Sequence, residues 1–296
     1  MIRSLGVTEL LGELVGPAVV LFALVTQLGD LWLLFLVAAG LYWFGQSTPV
    51  IGRGIDRRRG AMLVALVFGG AALTVAAKAI FGLPRPPGAG TPPRADLVPP
   101  ALREAYAWLS TGDGYGFPSG HAIASTVVWG GLALLVDAGR RRRRVAIAAA
   151  VIGAIWLSRL VLGVHYLVDV LAGGLVGAVY LAAVVKLDRP LAAFALATAV
   201  AVVGVAVAGI TRDASATLGA TAGATATWWA VGDAISEPSD RRAGTVTAGL
   251  GIVVATGAVV VVAVGGTGPV VVGPVAAVGT AAVLALPLVV ERVERM

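Results

Sequence analysis

The sequence has no cysteine among its 296 residues. That excludes a disulfide framework, a thiol nucleophile and a thiolate metal site, and leaves the redox compartment unread. Charge is also scarce. Asp, Glu, Lys and Arg make up 13% of the chain, against roughly 25% in soluble domains. Histidine occurs only at His121 and His165, and lysine only at Lys78 and Lys186. Hydrophobic residues reach 58%, above the roughly 45–50% of soluble domains, which argues against a soluble globular protein. The 40 glycines follow no three-residue period. They sit inside apolar runs, where small residues let membrane helices approach closely. The net charge of +6 comes from short arginine clusters between apolar runs and not from a stripe along one face. It reads as membrane orientation rather than nucleic-acid binding.

A bilayer-spanning helix needs about 20 mostly apolar residues. Ten stretches qualify, at 10–28, 31–50, 61–82, 118–137, 145–163, 165–185, 190–210, 215–235, 245–265 and 269–290. The expected fold is therefore an all-α polytopic transmembrane bundle of about ten helices. The first span carries Glu9 and Glu13 in or near it, and its rival reading is a cleaved signal peptide, whose usual pattern those acids break. With the N-terminus cytoplasmic, 16 of the 22 basic residues fall inside, including Arg57 to Arg59 and Arg140 to Arg144. The other six are Lys78, Arg85, Arg94, Arg103, Arg159 and Arg212. This asymmetry predicts both termini inside, as an integral protein of the plasma membrane. The long connection 83–117 would lie outside. It holds seven of the 15 prolines, so its first half cannot be a regular helix. Ala101 to Ser110 has helical spacing, with Leu102, Ala105, Tyr106 and Leu109 on one side, and is expected on the membrane surface.

Both histidines and one lysine fall in three short clusters: Lys78 to Pro86, Phe117 to His121, and Ser158 to Asp169. Crossing parity puts all three at the outer face, and ionisable residues at membrane depth are a functional hypothesis by default. His165 and Asp169, four apart at a helix start, share a face, so the carboxylate can take the proton of one ring nitrogen and leave the other free to attack. Arg159 and His165 can meet only if the chain turns at Gly163. Pro118 and Ser119 open a helix whose N–H groups are unpaired, and Gly120 permits an anion to approach them. Lys78, Arg85 and Arg159 add three positive charges, so the arrangement describes a tetrahedral oxyanion such as phosphate. Asp30, Asp113, Asp137 and Tyr115 belong to no recognisable pattern.

The three clusters resemble the signature of the type 2 phosphatidic acid phosphatase superfamily, which includes vanadium-dependent haloperoxidases and glucose-6-phosphatase. That signature is Lys-x6-Arg-Pro, Pro-Ser-Gly-His and Ser-Arg-x5-His-x3-Asp, matched here by Lys78, Arg85 and Pro86, by Pro118 to His121, and by Ser158, Arg159, His165 and Asp169. The resemblance implies a six-helix core within residues 1–189, with four further transmembrane helices of open role in 190–296. It implies a phosphatase in which His165 is the nucleophile, oriented by Asp169, and His121 is the general acid and base. Lys78, Arg85, Ser119, Gly120 and Arg159 would hold phosphate, with no metal and no other cofactor. The implied substrate is a membrane lipid phosphate or an isoprenyl diphosphate, and the choice between them is open. Transfer to another lipid alcohol, vanadate-dependent halide oxidation, and lipid binding or transport are the rival activities.

Overall fold

In a computed structural model, residues 6–48, 54–235, 237, 240–264 and 268–294 are described. Arg3, Arg53 and Arg295, which entered the charge count above, lie outside them. The described residues form twelve α-helices: α1 (Val7–Val15), α2 (Val19–Val25), α3 (Leu31–Phe44), α4 (Arg57–Phe81), α5 (Arg103–Ser110), α6 (Gly120–Leu135), α7 (Arg141–Val161), α8 (Leu167–Leu187), α9 (Pro190–Ala208), α10 (Arg212–Val231), α11 (Arg241–Val264) and α12 (Pro269–Glu294). Six of them are long and apolar enough to cross a membrane, namely α4, α7, α8, α9, α11 and α12. A bent pair, Gly16–Gly29 with Leu31–Ser47, passes the same test as a unit with a 44° bend. The all-helical membrane architecture therefore stands, while six such helices, or seven with the bent pair, do not confirm the count of ten. α6 has only 16 residues, and the Thr-rich α10 is not among the helices that pass.

The stretch 10–28 departs most from expectation. Thr8 donates its hydroxyl proton to the His165 carbonyl at 3.2 Å, a Cβ on Gly12 would come within 3.9 Å of the Val161 carbonyl, and Thr26 meets Arg159. Val19 and Ala23 pack with Ala89, Val98 and Tyr106 of the long connection. These residues stay at one end of the bundle and do not reach the other. Glu291, by contrast, pairs with Arg57 at the far end of α4. The two ends of the described chain therefore lie at opposite ends of the bundle, and not on the one side that ten crossings would require. The 103–110 helix exists as expected, with Tyr106 buried against α2 while Leu102 is exposed.

α4 is the hub. Asp56 caps it by accepting the Arg59 N–H at 2.7 Å, and Gly82, at φ 57°, ends it. Its glycines set the helix spacings. A Cβ on Gly60 would stand 2.6 Å from Tyr42 Cα, and one on Gly69 would strike the Tyr180 ring. On its other side α4 packs along α9, where Gly204 lies against Val75 and Ala76. Lipid tails are as apolar as leucine, so close packing of this kind, and not the hydrophobic effect, holds membrane helices together. α12 docks through a local defect of its own. Pro287 has no N–H to give the Val283 carbonyl, and Trp43 Nε1 donates to that oxygen at 3.2 Å while Tyr42 donates to the Leu284 carbonyl. Arg57, buried beneath them, also donates to the Trp43 carbonyl and takes the Glu237 carboxylate on its backbone N–H.

Candidate active site

Close packing of α8 on α6 positions the site. Cβ atoms on Gly173 and Gly177 would stand 2.6 Å from the Ser119 carbonyl oxygen and 3.0 Å from the Ile123 carbonyl oxygen, so only glycine admits this spacing. The approach lets the Ser119 N–H donate to the Asp169 carbonyl at 2.9 Å, which ties the start of α6 to the start of α8. Between α7 and α8 the chain reverses at Gly163, with φ 71°, the turn expected from the spacing of Arg159 and His165. The Val164 N–H closes it on the Arg159 carbonyl at 3.2 Å.

His165 does not lie on the helix, as the four-residue spacing predicted. α8 begins at Leu167 with Tyr166 as its N-cap, so His165 occupies the connector just before it. Asp169, in the first turn, takes the Tyr166 N–H on Oδ2 at 3.0 Å and holds the same oxygen 3.5 Å from His165 Nδ1. Both side chains are buried. The other ring nitrogen, Nε2, is 3.1 Å from Arg85 Nη1. A guanidinium can only donate, so Nε2 is the acceptor and the proton sits on Nδ1, facing Asp169. Burial, then the charges of Arg159, Arg85 and Lys78, hold the His165 imidazole well below its ordinary pKa. The ring is neutral, and its Nε2 lone pair is directed at Arg85.

The cations converge as expected. Arg85 is braced by the Asp113 carbonyl at 2.7 Å and the Val164 carbonyl at 3.0 Å. Gly112 lies against its guanidinium, where a Cβ would come within 2.7 Å of Nη1. Arg159 donates from Nη1 to the Thr26 hydroxyl at 2.7 Å. A cavity of about 350 Å³ is lined by Lys78, Arg85, Arg159, His121, His165 and Gly120, with Gly29, Asp30, Thr74, Gly112 and Asp113 among its other walls. Ser119 is not in that wall. It is fully buried, and its hydroxyl accepts the Ala122 N–H at 3.4 Å as the N-cap of α6. The N–H groups of Gly120 and His121 follow it in the first turn, where the helix dipole favours an anion.

Two residues that the sequence analysis did not assign to the site, Thr26 and Asp30, join it from the first bent span. Thr26 anchors Arg159, and Asp30 Oδ1 lies 3.0 Å from His121 Nε2. Asp30 carried a signal, since a carboxylate between two apolar runs is itself a functional hypothesis. Thr26 carried none. Among the described residues, no group of three or more His, Cys, Asp or Glu side chains converges as metal ligands would. A second concavity, lined by Ala138, Gly139, Arg140, Arg143, Arg144 and Ile147, lies at the opposite end of the bundle.

A neutral imidazole held by a carboxylate, a second imidazole, and three cations around one cavity at a helix start are the parts of a phosphoryl-transfer site. No curated protein and no solved structure matches the chain. The family model of the PAP2 superfamily matches residues 60–193, which hold every member of the three sequence clusters. This match supports the resemblance carried by the three clusters, and such a family suggests phosphatase activity.

Proposed function

We propose that the protein is an integral membrane phosphatase that hydrolyses a lipid phosphate monoester or an isoprenyl diphosphate through a phosphohistidine. The observation that carries this reading is the state of His165. Its proton lies on Nδ1 against Asp169, and its attacking nitrogen opens on a cavity that holds three cations. Lys78, Arg85 and Arg159, with the Gly120 and His121 N–H groups, bind the phosphoryl oxygens and stabilise the charge of the in-line transition state. Arg85 passes from Nε2 to the incoming phosphate, which frees the nucleophile as substrate arrives. Nε2 attacks phosphorus while Asp169 stabilises the imidazolium that forms, and His121 gives a proton to the leaving oxygen. Water then hydrolyses the phosphohistidine, with His121 as base. The three cations and the helix start supply the positive field, so the reaction needs no metal.

The size of the cavity supports a lipid substrate, because about 350 Å³ accommodates a phosphate or diphosphate head but not its chains. Those chains remain among the apolar helices. Of the basic residues in the described segments, six lie at the site end, and the thirteen others, led by Arg57 to Arg59 and Arg140 to Arg144, lie at the opposite end. This supports a site on the outer face of the plasma membrane. Residues 1–189 are read as the phosphatase core and 190–296 as added helices that brace α3 and α4. The test is phosphate release by the detergent-purified protein from phosphatidate and from an isoprenyl diphosphate. It is run with chelator, with and without vanadate, and beside His165→Ala. Vanadate-sensitive release, accompanied by a trappable phosphoenzyme and lost in the variant, is expected. Metal-dependent release that survives in His165→Ala refutes the reading, and product appearing only with an acceptor lipid would make the protein a transferase.

A further inference from the structure

Asp30 stands at the N-cap position of α3, a site where aspartate ordinarily accepts a hydrogen bond from its own helix. Here it makes no side-chain capping bond. Its carboxylate instead points across to α6 and sets Oδ1 3.0 Å from His121 Nε2. The backbone around it is pinned for that purpose. The Asp30 N–H donates to the Gln27 carbonyl at 3.0 Å, and Trp129 Nε1 donates to the Leu28 carbonyl at 2.9 Å. Gly29 lets the chain come against the ring, since a Cβ there would meet His121 Cδ2 at 3.2 Å and Ile155 Cγ2 at 2.7 Å. The Cδ2–Nε2 edge of His121 therefore faces Gly29 and Asp30, and the opposite edge, with Nδ1, faces away from them. Both Asp30 and His121 line the phosphate cavity and are about three-quarters buried.

We propose that Asp30 is the positioning residue of the general acid, forming with His121 a second His–Asp dyad opposite His165–Asp169 and committing His121 to proton transfer through Nδ1. This deepens the phosphatase reading and rests on it. In the first step His165 Nε2 bonds to phosphorus, and the bond from phosphorus to the leaving oxygen breaks with its electron pair on that oxygen. The oxygen takes the Nδ1 proton, which leaves His121 neutral with its remaining proton on Nε2 against Asp30. In the second step a water oxygen bonds to phosphorus, the electrons of the N–P bond return to His165, and the water proton goes back to Nδ1. The two dyads are thus mirror images, His165 reacting through Nε2 and His121 through Nδ1.

The test compares two phosphate monoesters with Asp30→Asn, Asp30→Glu, His121→Ala and the double variant His121→Ala/Asp30→Asn. Phosphatidate has an alcohol leaving group that needs a proton, whereas 4-nitrophenyl phosphate has one that leaves without it. Asp30→Asn is expected to lower kcat on phosphatidate by roughly 100-fold, in the range of general-acid contributions, and on the aryl ester by less than about 5-fold. His121→Ala should give the same contrast, Asp30→Glu should recover part of the loss, and the double variant should be no worse than His121→Ala. A purely structural role for Asp30 would lower both esters together. Equal losses on the two esters, or a further tenfold loss on phosphatidate in the double variant, overturn the dyad. A wild type inactive on both esters would instead refute the phosphatase reading, and the dyad with it.

Discussion

Asp169→Asn changes one atom and isolates what the carboxylate does for His165. Asp169 Oδ2 accepts the Tyr166 N–H at 3.0 Å and stands 3.5 Å from His165 Nδ1. Asparagine can keep both contacts with its amide oxygen, because one oxygen makes both, so Nδ1 keeps its proton and Nε2 its lone pair. What the substitution removes is the negative charge that would stabilise the imidazolium formed on attack, beside the donating Nη1 of Arg85 at 3.1 Å. The same substitution in a Ser-His-Asp triad lowers kcat about 10⁴-fold, which sets the upper end at about 5 kcal/mol of barrier. Stability should change far less. The backbone tie from the Ser119 N–H to the Asp169 carbonyl is untouched, and weakening one charge-assisted hydrogen bond to a neutral one costs about 1 kcal/mol. The assay pairs phosphate release and phosphoenzyme trapping with thermal unfolding in the same detergent. A thousandfold or greater loss of both activities, with unfolding displaced by only a few degrees, is expected. Activity within tenfold of wild type refutes the charge argument, and an equally inactive but unfolded protein refutes the claim that the carboxylate acts mainly on the ring.

The folded protein keeps His165 neutral, whereas the unfolded chain protonates it as pH falls through about 6.5. Unfolding therefore takes up a proton below that value, and stability should fall by up to about 1.4 kcal/mol per pH unit until the folded ring also titrates. Denaturation curves of wild type and His165→Gln between about pH 7 and pH 5 should converge, and parallel curves would refute the shift. Gly173→Ala drives a Cβ to 2.6 Å from the Ser119 carbonyl oxygen. The helices must part, at a cost of about 1–3 kcal/mol, and phosphate release should drop roughly 100-fold as the two histidines separate; an alanine variant with wild-type turnover would show that the spacing is not critical. Glu291→Ala removes one carboxylate partner of the buried Arg57 while its Trp43 and Glu237 contacts remain, and should destabilise the protein by about 1–3 kcal/mol with little change in kcat. A matching loss of kcat would mean that the added helices act on the chemistry.

The chemistry of the site was legible because it is concentrated. Two histidines and three cations in an apolar chain have few other reasons to exist, and crossing parity foresaw the meeting of Lys78, Arg85, Arg159, His121 and His165, as local spacing foresaw the turn at Gly163. Spacing misled where it assumed a continuous helix. His165 lies in the connector because Asp169 caps at Tyr166, and Ser119 spends its N–H on the Asp169 carbonyl and its hydroxyl on the cap of α6, facing no cavity.

The sequence by itself determined the membrane-compatible, all-helical class and the clustering of two histidines and three cations, since these follow from composition, motif spacing and crossing parity. Only the tertiary structure decided the rest. Hydropathy measures whether a segment tolerates lipid, not which way it runs, so 10–28 reads as a crossing when it folds back on the site end and brings Thr26 to Arg159. The same fold sets Asp30 beside His121 across 91 residues of chain. No local pattern encodes that contact, because it depends on Gly29 against the histidine ring and on α6, α7 and α8 being packed as closely as their glycines allow.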